Sequence, residues 1–133
     1  MVKYFVDTWF LVALLDRLDS HALVAERLSG RHRGGLVTHD GVLIELLAYF
    51  SGHGAAMRAK AARAVRQTAL NLTVVPLDRR LFSTALQLYE DRPDKEHSLV
   101  DCMSMIVMRQ RGITHAITND HHFQQEGFTV VNA

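Results

Sequence analysis

The sequence predicts an α/β protein, a mostly parallel sheet of about five strands between layers of helices. Short β-branched and aromatic runs alternate with longer segments of helical apolar spacing along the whole chain, the pattern of strands joined by helical crossovers. Gly, Pro, Asn and Asp punctuate the joins, as at Gly52, Pro93 and Gly112. With 133 residues and a hydrophobic fraction of 48%, one core in one domain is expected without disulfides or structural metal.

Residues 2 to 6, VKYFV, read as a buried first strand. Asp7-Thr8 then starts a helix through WFLVALLDRL. Asp19-Ser20 caps a second helix to about Leu28, which Gly30, Gly34 and Gly35 end. Leu36 to Thr38 is a short strand, followed by a helix from about Asp40 to Phe50. That helix is apolar around its circumference, so it is expected to be buried on all sides. Residues 55 to 70 are alanine-rich and helical, and Leu72 to Pro76 is the third strand. Leu81, Phe82, Ala85, Leu86 and Tyr89 recur at helical spacing. Ser98 opens a helix that Gly112 stops; Ile113 to Thr118 and Phe128 to Val131 are the last two strands.

Composition narrows the class. The single Cys102 excludes a disulfide framework and agrees with a reducing cytoplasm. The longest apolar run, Trp9 to Leu15, is too short to span a bilayer, and no secretion leader is expected ahead of Asp7. A formal net charge of +1 names no partner by itself.

Four carboxylates sit where a solvated acid has little reason to be. Asp7 ends Tyr4-Phe5-Val6, Glu45 is the one polar residue in VLIELLAYF, Asp101 interrupts SLVDCMSMIVM, and Asp120 closes the run from Ile113 to Asn119. Removing an unpaired carboxylate from water costs several kcal/mol, so four such placements ask for a shared cation. Ligands of open parallel sheets bind beyond the carboxyl ends of the strands. Asp7 and Asp120 follow strands one and four, and Glu45 and Asp101 lie early in their helices, so all four are expected at one sheet edge. Oxygen-only ligands suit Mg²⁺ or Mn²⁺ rather than zinc. Each acid also has a plainer reading. Asp7 suits a helix cap, Asp120 a turn, Asp101 the acid of a capping box with Ser98, and Glu45 a buried ion pair. On sequence alone Glu45, on its all-apolar helix, carries the burial argument. The remaining candidates are weaker. Adjacent His121 and His122 rarely face one metal and lack partners at zinc-ligand spacing. Cys102 lies on an apolar helix without a base, which suits a core residue. Phosphatases with an aspartyl nucleophile carry a second acid two residues on, a place Trp9 occupies.

The blocks FVDTWFLVALLD, THDGVLIELLAYF, DKEHSLVDCMSM and ITNDHHFQQEGF resemble PIN-domain ribonucleases of the VapC toxin type almost end to end. The spacing of the last two blocks is the most specific part. The resemblance implies a PIN-like three-layer fold and a Mg²⁺- or Mn²⁺-dependent endoribonuclease leaving 5′-phosphate and 3′-hydroxyl ends. It implies Asp7, Glu45, Asp101 and Asp120 as metal-binding and catalytic acids, with Thr8, Ser98 and Asn119 beside them to hold ligands or bound water. Many relatives have an aromatic residue where Asn119 stands. The resemblance further implies an RNA substrate, a cognate antitoxin and a homodimer. The competing expectation is an inactive PIN-fold module that binds RNA or protein. For phosphate contacts, Arg58, Lys60, Arg63 and Arg66 form an acid-free cationic run and Arg31-His32-Arg33 a second one, though a solvated helix face and a basic loop account for them equally. Trp9, Tyr49 and Phe123 are the aromatics for base stacking, unless they are core.

Overall fold

The computed structural model describes residues 3–17, 35–118 and 120–131. The helix expected over residues 20 to 28, the cluster Arg31, His32 and Arg33, and Asn119 lie outside the described residues. In chain order the elements are β1 (Tyr4–Val6), α1 (Thr8–Arg17), β2 (Leu36–His39), α2 (Asp40–Phe50), α3 (Ala55–Asn71), β3 (Thr73–Val75), α4 (Arg79–Asp91), α5 (Leu99–Arg111), β4 (His115–Ile117), α6 (His122–Gln125) and β5 (Thr129–Val131). All five strands pair in parallel in the order β3-β2-β1-β4-β5. The expected sheet is therefore present.

The strands are shorter than the apolar runs that announced them, and helix ends are one reason. Gly112 takes φ 65°, and the Ile113 N–H returns 2.8 Å to the Met108 carbonyl, closing α5. Ile113 thus belongs to the helix stop, and β4 begins two residues later. Leu72 likewise donates back to Thr68 at the end of α3 before β3 starts. The single turn α6 has no counterpart in the sequence reading, because four residues are too few to show a helical period.

From β1 the sheet grows through β2 and β3 on one side and through β4 and β5 on the other. The connections diverge between β1 and β4, which opens a crevice at the carboxyl ends of those two strands. Helix α5 forms one wall. Every residue from Asp101 to Met108 on it is buried, which explains a run with no solvated stripe.

Helix α2 departs from expectation. It buries Val42, Leu43, Leu46 and Phe50, while Ile44 is 58% exposed and Leu47 and Tyr49 also face solvent. An outer-layer helix can bury only one stripe, so its remaining apolar residues form surface. Its start is fixed by His39, whose Nδ1 accepts from the Gly41 N–H at 3.0 Å and whose ring stacks on Phe5. His39 Nε2 lies 2.8 Å from Ser104 Oγ on α5, so the cap also joins two layers.

Candidate metal centre

The ends of β1 and β4 are tied together before any ligand is considered. The Asp7 N–H donates to the Ile117 carbonyl at 3.2 Å. Thr118 Oγ1 donates to Asp7 Oδ2 at 2.7 Å and accepts the Asp120 N–H at 2.9 Å. One buried hydroxyl therefore sets the positions of two acids. Asp120 Oδ1 in turn accepts the His122 N–H at 2.9 Å, an Asx turn that launches α6.

Asp101 arrives from α5. Ser98 and Asp101 form a complete capping box, with Ser98 Oγ accepting the Asp101 N–H at 3.0 Å and Asp101 Oδ2 accepting the Ser98 N–H at 2.9 Å. The plainer reading of Asp101 is thus real, and it coexists with a place in the acid cluster, since the box engages only Oδ2. Among the described residues, donor atoms of Asp101, Asp120 and His122 lie within 4.8 Å of one another.

Asp7 and Glu45 stand outside that tight triple but feel it. Burial raises the Asp7 carboxyl from 3.8 to about 7; the Thr118 hydrogen bond opposes this, and the charges of Asp101 and Asp120 add to it. Glu45 on α2 is raised by burial, drawn back by the Thr8 hydroxyl, and raised further by Asp101 and Asp120. Asp101 is raised by burial and by Asp120, against its Ser98 hydrogen bonds. Mutual repulsion of this kind is relieved by a cation. Thr8 Oγ1 is a second sign: it is buried and faces Glu45, yet makes no hydrogen bond of good geometry to any described residue, and a bound ion's water would supply one. The residues present fit a hard divalent ion.

Burial is distributed differently from expectation. Asp7 and Asp101 are the buried acids, at 1% and 7% exposure, whereas Glu45 and Asp120 are half-buried. Sequence reading weighted Glu45 because its whole helix looked buried, and that helix proved to be an outer one. Of the residues expected beside the acids, Ser98 serves the capping box, Thr8 faces Glu45, and Asn119 is outside the described residues. On α3, Arg58 donates to the Ser51 carbonyl at 3.0 Å and Lys60 to the Leu15 carbonyl at 2.8 Å, while Arg63 and Arg66 are exposed. Two of the four expected cations therefore have local partners.

Sequence reading missed Thr118, and weighed His122 only as a zinc ligand and set it aside. Each lies two positions from Asp120, the only signal available. Cys102 is buried, and burial followed by the Asp101 charge pushes its thiol up to about 11, which makes it a poor nucleophile. A cleft of about 450 Å³ opens beside the acids, lined by Trp9, Val12, Ala13, Asp16, Tyr49, Asp120 and His121. The Trp9 and Tyr49 rings meet edge to face at 5.8 Å. Phe123 is fully buried core.

The PIN-domain profile matches residues 4–128. The 23S rRNA-specific endonuclease VapC20 of Mycobacterium tuberculosis is 32% identical over 130 residues, 96% of each chain. The crystal structure of that protein, described as a Sarcin-Ricin loop cleaving toxin, superposes with a TM-score of 0.81 at 30% identity over 98% of this chain and 100% of the other. DNA-bound VapBC from Salmonella typhimurium (TM-score 0.65, 16% identity, 98% of each chain) shares the fold. So does FitAcB from Neisseria gonorrhoeae (TM-score 0.67, 15% identity, 97% of this chain and 96% of that one). With the sheet order, the acid-lined crevice and these likenesses together, the chain belongs to the PIN-domain family.

Proposed function

We propose that this protein is a metal-dependent endoribonuclease, the toxin of a VapBC-type pair, with Asp7, Glu45, Asp101 and Asp120 as its metal-binding acids and Mg²⁺ or Mn²⁺ as the ion. The observation that carries the reading is the convergence of four electrostatically coupled carboxylates from four segments of the chain on the crevice between β1 and β4. A bound ion supplies charge for the scissile phosphate and lowers the pKa of a water nucleophile. Asp101 and Asp120 would hold it most directly, through oxygens that the triple already brings together. Asp7, steadied by Thr118, keeps Oδ1 for the ion or for a proton from the attacking water. Glu45 and the Thr8 hydroxyl would orient further water at the mouth. The cleft beside Asp120 offers Trp9 and Tyr49 as a stacking surface for an unpaired base. The likeness to a 23S rRNA-specific endonuclease makes structured ribosomal RNA the first substrate to try.

Cleavage of such RNA in Mg²⁺ or Mn²⁺ tests the reading. Asp7→Asn and Asp101→Asn should each lower the rate by about 10²-fold or more with melting transitions intact. Folded variants that cut at the wild-type rate would reject these site residues. An antitoxin partner is expected to dock on the exposed apolar residues of α1 and α2, and co-purification with the product of an adjacent small gene checks it. A homodimer is expected as well, to be read from light scattering.

A further inference from the structure

The side of the acid cluster facing α6 is not carboxylate. His122 Nε2 lies 3.5 Å from Asp120 Oδ1 and shares the 4.8 Å triple with Asp120 and Asp101. Behind it stands a chain of contacts with a definite direction. Glu126, whose side chain is 4% exposed, accepts from Arg92 Nε at 2.9 Å, Arg92 at its second nitrogen at 3.2 Å, and Arg109 at 3.0 Å. Burial pushes Glu126 up, but the hydrogen bonds from Arg92, His97 and Arg109 outweigh it and hold the group ionised. His97 Nε2 lies 3.3 Å from Glu126 Oε2, and His97 Nδ1 lies 3.3 Å from His122 Nδ1.

An ionised carboxylate only accepts, so His97 Nε2 carries the hydrogen. A neutral His97 then has its lone pair on Nδ1, so the facing His122 Nδ1 must donate. That leaves the lone pair of His122 on Nε2, directed at two carboxylates that are themselves acceptors. Acceptors on all sides call for a positive centre between them, a metal ion or a second proton on the ring. An outer carboxylate that fixes a histidine tautomer and ring orientation is the usual support of a metal-bound imidazole.

Resting on the metal-dependent reading above, we propose that His122 Nε2 is a ligand of the bound ion, and that Glu126 and His97 are positioning residues that present it. The site then has a mixed oxygen and nitrogen donor set. An imidazole favours transition ions such as Mn²⁺ over Mg²⁺, so this chain would prefer Mn²⁺.

Pulsed electron paramagnetic resonance of Mn²⁺ bound to the intact protein tests the ligand directly, because a bound imidazole gives a nitrogen coupling that oxygen ligands do not. The coupling is expected in the wild type and in His121→Ala, and its loss is expected in His122→Ala. His122→Asp should bind Mn²⁺ but lose the coupling and shift preference towards Mg²⁺. Glu126→Gln should weaken Mn²⁺ binding by about 10-fold in calorimetry. A wild-type protein that binds Mn²⁺ without nitrogen coupling overturns the His122 assignment and leaves the carboxylate site standing; a proton on Nε2 would then be the occupant. A folded wild type that binds no Mn²⁺ overturns both readings. Coupling that persists in folded His122→Ala assigns it to another histidine and overturns this one.

Discussion

Asp7 shows how one residue links stability to function. Its carboxyl titrates near 7 in the fold against 3.8 ordinarily. Between those values the folded state holds a proton that the unfolded chain has released. Its stabilising contribution is thus complete below about pH 4 and is lost as pH rises through about 7. His39 works in the opposite sense: burial lowers it from 6.5 to about 4, so its contribution is full above 6.5 and is lost as pH falls towards 4. In chelator, we expect Asp7→Asn to be more stable than wild type at pH 8, by on the order of a few kcal/mol, and close to it at pH 4. Thermal or urea unfolding at the two pH values checks this, and equal stability at pH 8 would remove the buried-charge account. Wild type should gain stability from Mn²⁺ most strongly above pH 7, and Asp7→Asn should lose most of that gain. Thr118→Val should lower stability by about 1–3 kcal/mol, because it leaves Asp7 and the Asp120 N–H without their shared hydroxyl.

At the scale of elements, helix starts place the site. The Ser98–Asp101 capping box fixes α5 and, with it, the free oxygen of Asp101. Ser98→Ala is expected to cost about 1 kcal/mol in unfolding free energy, and to weaken Mn²⁺ binding by about 10-fold through a loosened carboxylate. A stability loss with unchanged Mn²⁺ affinity in calorimetry would confine Ser98 to capping. The boundaries α1, α2 and α5 were readable to within a residue or two, because caps and apolar periods announce them. The turn α6 was not, and His122 on it was weighed only as a zinc ligand. Adjacent histidines looked unsuited to one metal. The rings in fact stack on each other, with His121 exposed and only His122 turned towards the acids.

At the scale of the molecule, the crevice, the cleft and the exposed face of α2 lie on neighbouring elements. Among the described residues no helix is long and apolar enough to cross a membrane. The exposed apolar residues Ile44, Leu47, Tyr49 and Trp9 form a surface of the kind that marks an interaction face. Trp9 is the only tryptophan in the chain, so its fluorescence reports on the cleft. Single-stranded RNA should change that fluorescence in chelator, where no cutting occurs, and Tyr49→Ala should weaken binding by about 1–3 kcal/mol if one base stacks there. RNA that binds without altering Trp9 emission would place the substrate path elsewhere.

The sequence by itself determined the layer architecture and the alternation of strands and helices, and it singled out the four acids proposed as the site. These depend on local periodicity and on the anomaly of a carboxylate within an apolar run. Tertiary structure decided which acid is buried and what supports each one. Glu45 looked the most enclosed and is half-exposed, since a helix rich in apolar residues serves a surface as readily as a core. Asp7 looked like a cap and became the most buried acid because β1 is the central strand. The Glu126–His97–His122 chain joins residues far apart along the sequence, and hydrogen-bond direction has no trace in residue spacing. Only the folded arrangement brings His122 beside Asp101 and Asp120.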